Sequence, residues 1–332
     1  MDRVQLSHGG GGRLMHQLIS DFFVPAFDLI TLNDSAVVAW QASGRVALTT
    51  DSYVVSPYFF PGGDIGLLSV CGTVNDLAMA GAKPLYMTVG FILEEGLPLE
   101  DLKRVLASMK RVSEKIGIRI VAGDTKVVEK GKGDGIYINT TGVGIVHEEI
   151  VLSPKRIIPG DKVIISGSIG NHGIAVMAER SGITFDPPLL SDVCPLNSLV
   201  DLMLDTTRDI RVMRDPTRGG VATTLKEFAN DSGCCMIVHE ETILVRSAVQ
   251  GACDLLGLDP LYVANEGVLL AVVAPAAAED LVAEMRKTTA GADAFIAGEV
   301  TKSPPHTVLY KTKMGGKRII DMLSGEQLPR IC

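Results

Sequence analysis

The chain has 332 residues, of which 46% are hydrophobic and 21% charged. That is enough apolar surface to offset chain entropy, and it excludes a mainly disordered state. Thirty-one Lys and Arg stand against 39 Asp and Glu, a net charge of −8 with no basic stripe, which argues against a nucleic-acid partner. The longest apolar run, Val268 to Ala278, is interrupted by Pro275 and falls short of the roughly 20 residues of a membrane span. At about 150 residues per domain, the length suggests two domains. An N-terminus without an apolar signal core points to the cytoplasm.

Glycine is frequent, at 35 residues against a usual share of about 7%, so close backbone approach is an expected theme. The run Gly9-Gly10-Gly11-Gly12 precedes a helical stretch with Leu14, Leu18 and Ile19 on one side. Val46 to Val55 reads as a strand carrying Thr50-Asp51-Ser52, and Pro57 to Gly63 as a turn-rich loop. Ile65 to Ala82 has a helical pattern, with Gly81 and Pro84 as stop signals. Leu85 to Leu93 follows as a strand. Glu100 to Ile116 is the clearest amphipathic helix, with Leu102, Val105, Leu106, Met109, Val112 and Ile116 at helical spacing. Ile118 to Ala122 is expected as a strand ending in Gly123-Asp124, and Ile136 to Val146 as another. Pro154, Pro159 and Gly160 mark the expected domain boundary. Beyond it, strands are expected at 162–166, near 236, at 268–273 and near 295 and 308, and helices at 173–181, 221–231, 246–256 and 276–287. The fold class is α+β, with residues 1–150 as one domain, 151–323 as a second, and 324–332 as a mobile tail without periodicity.

No P-loop or Rossmann signature is present, so a nucleotide site must be of another kind. The six cysteines include no C-x-x-C pair, which leaves zinc or a redox dithiol little support. Three acids stand out: Asp51, Asp76 after Asn75 in an apolar helix, and Asp124. Mg2+ on a nucleotide takes a few hard oxygens from protein. Adjoining strand ends would bring Asp51 and Asp124 together, although each alone also reads as a turn residue or cap. A charge at Asp76 is costly unless paired or bound to metal. The glycine run, with His8 beside it, reads as a backbone nest for phosphates or as a hinge. The segment Arg214-Asp215-Pro216-Thr217-Arg218-Gly219-Gly220 leads into a helix N-terminus and suits phosphates, or is an exposed charged loop. Lys126 follows Asp124 by two residues, and Glu266 stands just before an apolar strand where a general base would suit; each alone also reads as a surface charge. The chain ends in Cys332, outside any prenylation box. A terminal thiol on a flexible arm suits carrying a covalently attached group, or is an accidental exposed cysteine.

These segments together resemble the HypE family of hydrogenase maturation factors, within the PurM-like ATP-binding superfamily. The resemblance rests on His8 to Gly12, Thr50 to Val54, Phe60 to Gly63, Asn75-Asp76, Gly90 to Gly96, Gly123 to Val128, Arg214 to Gly220, Ala264 to Gly267 and the terminal Pro329-Arg330-Ile331-Cys332. It spans the whole chain. It implies a two-domain PurM-like fold whose N-terminal half gives strands to a barrel in a homodimer, with ATP between the halves. It implies that the carbamoyltransferase HypF places a carbamoyl group on Cys332, that ATP-dependent dehydration converts it to a thiocyanate, and that the cyano group passes to iron on HypC–HypD. By resemblance, Asp51, Asp76 and Asp124 hold Mg2+ and phosphates. His8, Gly9, Gly10, Gly11, Asn75, Asp215, Thr217 and Arg218 support the nucleotide, and Glu266 and Lys126 face the incoming Cys332. The rivals are a small-molecule kinase of the same superfamily, of the selenophosphate synthetase or thiamine-monophosphate kinase type, and a non-catalytic scaffold.

Overall fold

The computed structural model describes residues 3–5, 8, 13–27, 43–322 and 330–332. In chain order its elements are α1 (Arg13–Leu18), α2 (Val24–Phe27), β1 (Arg45–Tyr53), β2 (Phe59–Phe60), β3 (Gly63–Asp64), α3 (Ile65–Met79), β4 (Ala82–Glu94), α4 (Leu99–Ile116), β5 (Arg119–Val128) and β6 (Ile136–Val146). They continue with β7 (Lys162–Ile165), α5 (Asn171–Ser181), α6 (Asn197–Thr206), β8 (Ile210–Arg214), α7 (Gly220–Ser232), β9 (Cys235–His239), α8 (Ser247–Leu256), β10 (Leu270–Val273), α9 (Pro275–Met285), β11 (Phe295–Thr301), β12 (Thr307–Lys311) and β13 (Lys317–Ile320). No helix among the described residues is long and apolar enough to cross a membrane.

The first sheet has the order β1-β6-β4-β5. All its pairings are antiparallel except β4 with β5, which α4 joins as a crossover. Helix α4 buries Leu102, Val105, Leu106, Met109 and Val112, the stripe its spacing predicts, and Gly117 closes it at φ +82°. Helix α3 is buried nearly all round. Its Asp64 cap accepts the N–H groups of Gly66 and Leu67 and the Ser108 hydroxyl of α4, so the two helices share one polar anchor. Both lie on one face of the sheet. The opposite face is open, with Val46, Leu48 and Ile92 exposed.

Strand β5 is longer than expected. The dipeptide Gly123-Asp124 has turn chemistry, yet pairing with β4 runs on from Gly123 to Val128. A Cβ on Gly123 would stand 2.8 Å from the Val89 carbonyl oxygen, so the glycine serves close strand approach here.

The second sheet has the order β13-β12-β9-β11-β7-β10-β8, antiparallel except between β9 and β12. Ala271 and Val273 of β10 pack toward α6 and α9, while Leu270 and Val272 pack toward α7. A strand covered on both faces reads as an unbroken apolar run, as Val268 to Ala274 does. Helix α6 and strand β8 have no counterpart in the sequence expectations. Leu77 and Met79 of α3 share a core with Leu199 and Met203 of α6, so the two halves are joined by apolar packing as well as by the chain.

Candidate active site

Asp51 sits within β1 and faces the helices, on the side of the fully buried Tyr53. One residue pair along, the Thr49 hydroxyl donates to Asp76 Oδ2 at 2.7 Å, tying β1 to α3. Burial pushes the Asp76 carboxyl up; the Thr49 bond opposes this and the Asp51 charge adds to it. Asp215, buried in the loop before α7, is pushed up to about 7, first by burial and then by Asp76. Thr217 turns that loop, its N–H donating to the Asp215 carbonyl and its own carbonyl accepting from Gly220. Arg218 stands exposed above this acidic group, its Nη2 3.9 Å from Asp51 Oδ1. Glu266, just before β10, is buried, and its Oε1 has no hydrogen-bond partner. Burial, then the charges of Asp215 and Asp192, hold its carboxyl well above the usual range.

The C-terminus enters this site. Residues 330–332 lie along 54–56: Val54 N–H donates to the Cys332 carbonyl at 3.2 Å and Ser56 N–H to the Arg330 carbonyl at 3.3 Å. Ile331 is buried among the first sheet and its helices. Arg330 takes a left-handed φ of +57° and pairs with Asp134. Arg180 of α5 donates to the carbonyls of Ser56 and Arg330 at 2.6 and 2.7 Å. His172 Nε2 lies 2.9 Å from the Ile331 carbonyl, and Nδ1 lies 2.8 Å from Ser191 Oγ. Burial lowers the His172 imidazole to about 4, so the ring is neutral. A carbonyl only accepts, so Nε2 carries the proton and Nδ1 accepts from the serine. The Cys332 thiol is pushed up to about 12, first by burial and then by Glu266, with Arg218 opposing.

Several sequence expectations need correction. Residues 330–332 are docked, which is one state of a tail expected to move between an enclosed and an exposed position; 323–329 lie outside the described residues, as do Gly9, Gly10 and Gly11. His8 is buried, and its Nδ1 accepts the Gln5 N–H. Asn75 spends its amide on the backbone: it donates to the carbonyls of Cys194 and Glu266 and accepts from Leu196 N–H. It clamps the two halves rather than facing a ligand. Asp124 and Lys126 are not brought to Asp51 within one chain. They lie on β5, at the other edge of the sheet from β1, about 14 Å away by strand spacing. They point to the open face, with Lys126 Nζ 2.7 and 2.8 Å from the two Asp124 oxygens. Their strand pattern shows this only once the pairing is known.

Among the described residues, no three His, Cys, Asp or Glu side chains form a ready-made metal cage. Mg2+ does not require one, because it takes one or two carboxylates and completes its shell with water and phosphate. Asp51 and Asp76 supply hard oxygens whose mutual repulsion a divalent cation would relieve. The donor set therefore fits Mg2+ with a nucleotide.

His172, Arg180, Ser191, Asp192 and Asp134 have no counterpart among the sequence-derived site residues. Their partners are backbone groups from distant segments, which no local pattern marks.

Residues 32–146 match the AIR synthase related protein N-terminal domain and residues 159–311 the corresponding C-terminal domain. Fold and site thus define a two-domain protein of the AIR synthase related, PurM-like class. The carbamoyl dehydratase HypE of Cupriavidus necator is 53% identical, over 99% of this chain and 95% of its own. A crystal structure of the hydrogenase maturation protein HypE in complex with ATP superposes with a TM-score of 0.94 at 46% identity, covering 99% of both chains. A crystal structure of a HypE–HypF complex gives 0.81 at 47% identity, over 92% of this chain and 99% of that one. The chain belongs to the carbamoyl dehydratase HypE family.

Proposed function

We propose that this chain dehydrates an S-carbamoyl group on its own Cys332 to a thiocyanate, using ATP, and so supplies cyanide ligands for the iron of [NiFe]-hydrogenase. The observation that carries this reading is the docked C-terminus, which half-buries the Cys332 thiol where the charges of Glu266 and Arg218 act on it. The ATP-bound relative supports the nucleotide, and the HypE–HypF complex supports a carbamoyltransferase as the donor. A small-molecule kinase has no use for a cysteine held in this position. Consumption of ATP supports a cytoplasmic setting. The HypC–HypD complex is proposed as the cyanide acceptor. The boundary between 1–150 and 151–323 is supported by the passage from one sheet to the other between Val146 and Lys162, and residues from 324 are proposed as a tail.

When bound, ATP with Mg2+ supplies the phosphoryl group that turns the carbamoyl oxygen into a good leaving group. Asp51 and Asp76 would hold the metal, and Arg218, Thr217 and the Asp215 loop would support the phosphates. Glu266, buried and with a high proton affinity, would take one N–H proton of the carbamoyl group, the other leaving with the phosphate. A thiol pushed to about 12 is a poor nucleophile when docked. A carbamoylated sulfur is neutral and enters without burying a charge. The carbamoyl group is therefore loaded with the tail out, and dehydration follows with the tail in.

A homodimer completes the reading. The open face of the first sheet exposes Val46 by 54%, Leu48 by 70% and Ile92 by 45%, an apolar surface suited to a second copy closing a barrel. Asp124 and Lys126 lie on that face, where a second copy would place them at its neighbour's site. The direct test is the intact mass of the C-terminal peptide after incubation with the carbamoylating partner, carbamoyl phosphate, ATP and Mg2+. Loss of one water from carbamoylated Cys332, only with hydrolysable ATP, is expected. ATP turnover with an unmodified Cys332 would redirect the assignment to a kinase.

A further inference from the structure

Asp192 belongs to neither the nucleotide group nor the tail clamp, yet it touches both. It lies between α5 and α6. Its Oδ1 accepts the Glu266 N–H at 3.2 Å, and it follows Ser191, whose Oγ lies 2.8 Å from Nδ1 of His172 in the first turn of α5. The backbones are in close contact, since a Cβ on Gly267 would stand 1.8 Å from the Asp192 carbonyl oxygen. Asp192 Oδ2 and Glu266 Oε1 are both buried without a hydrogen-bond partner. Such orphaned oxygens are costly and rare unless they serve a purpose.

We propose that Asp192 is a positioning residue for the dehydration, a second buried carboxyl that fixes the Glu266 backbone and whose charge, with that of Asp215, favours the protonated form of Glu266. The inference rests on Glu266 being the base.

Two neighbouring buried carboxyls resist ionising together, and their titrations are coupled. Asp192 is itself pushed up to about 7, chiefly by burial, with Arg246 opposing. Asp215, Asp51 and Asp76 also bear on Glu266, and the Cys332 thiol and the Tyr53 hydroxyl in turn feel its charge. Of these groups, Asp192 alone also bonds the Glu266 backbone.

The chemistry needs such tuning. The carbamoyl C–O bond breaks and its oxygen leaves on the phosphoryl group taken from ATP. Both N–H bonds break as the C–N bond becomes triple. Glu266 as carboxylate accepts one proton from nitrogen, and the departing phosphate takes the other. Raised proton affinity makes it a strong acceptor, at the cost of keeping it protonated at neutral pH.

The experiment uses the full chain, carbamoylated at Cys332, and follows single-turnover loss of water by mass from pH 5.5 to 9 in wild type and Asp192→Asn. The variant keeps an oxygen to accept the Glu266 N–H but loses the charge. The acid limb is expected to move about one pH unit lower. Asp192→Asn should therefore be faster than wild type at acid pH and slower on the alkaline plateau. Uniform slowing at every pH, with an unmoved limb, would overturn the proposal. A second readout guards against a folding defect. The infrared carboxyl band of Glu266, assigned with Glu266→Gln, is titrated in wild type and in Asp192→Ser. A lower midpoint in the variant supports the proposal and an unchanged one overturns it. A wild-type chain that loses no water at any pH would defeat the base assignment, while the infrared titration would still decide the coupling.

Discussion

In the proposed reaction Cys332 is the carrier and Glu266 the base, and substitution separates these roles. Cys332→Ala should abolish both carbamoylation and water loss while leaving ATP affinity unchanged, as read by calorimetry. Glu266→Gln should still accept the carbamoyl group but lose water about 10²–10⁴-fold more slowly. The buried carboxyls also shape stability. Burial pushes Asp192 and Asp215 up to about 7 in the folded chain, whereas in the unfolded chain they return to the ordinary carboxylate range near 4, so the folded state alone holds their protons between about pH 4 and 7. Stability therefore rises as pH falls through 7. His172 acts oppositely, being neutral when folded down to about 4, but it is one group against Asp192, Asp215 and Glu266, all of which burial raises. The ligand-free chain should melt at a higher temperature at pH 5.5 than at pH 8. A lower melting point at pH 5.5 would mean that these carboxyls are ionised in the fold. Cys332 and Glu266 are legible in the sequence because their residue types are unusual where they stand. Asp192 and His172 are not, since their meaning lies in which distant backbone groups they meet.

At the scale of elements, the last three residues are held by backbone hydrogen bonds from Val54 and Ser56, with Ile331 as the buried anchor. Recognition by His172 and Arg180 is through carbonyls and so is blind to side chain, leaving Ile331 and Arg330 to specify the tail. Ile331→Asp places a charge in an apolar core and should undock the tail. Limited proteolysis near the C-terminus should then accelerate and water loss should slow, while carbamoylation by the partner persists. Protection equal to wild type would show that Ile331 is not the anchor. The helix α4 was legible because its stripe repeats over many turns. Helix α6 and strand β8 were not: both are short, and their identity comes from packing against α3 and β10. Strand β5 overran its expected end because pairing with β4 outweighed the turn chemistry of Gly123-Asp124.

At the scale of the molecule, the open sheet face and the distance of Lys126 from Cys332 share one explanation in a second copy. Leu48→Lys should weaken the dimer, seen as a fall in sedimentation coefficient with dilution. Lys126→Ala and Cys332→Ala, each inactive alone, should recover water loss when their subunits are mixed, if Lys126 serves its neighbour's site. No recovery in mixed dimers would place Lys126 outside the reaction.

By itself the sequence determined the α+β class, the strongly amphipathic α4, the terminal cysteine and the set of acids and arginines the chemistry draws on. These follow from residue type and short-range periodicity, which act locally. Tertiary structure decided which acids meet: Asp51, Asp76, Asp215 and Glu266 gather, while Asp124 stands at the far edge. It also turned Asn75 into a clamp and brought Asp192 and His172 to the site. The physical reason is that strand order, sheet face and burial arise from contacts between residues far apart in the chain. Those contacts set each carboxyl's proton affinity and give the last residue a place to dock.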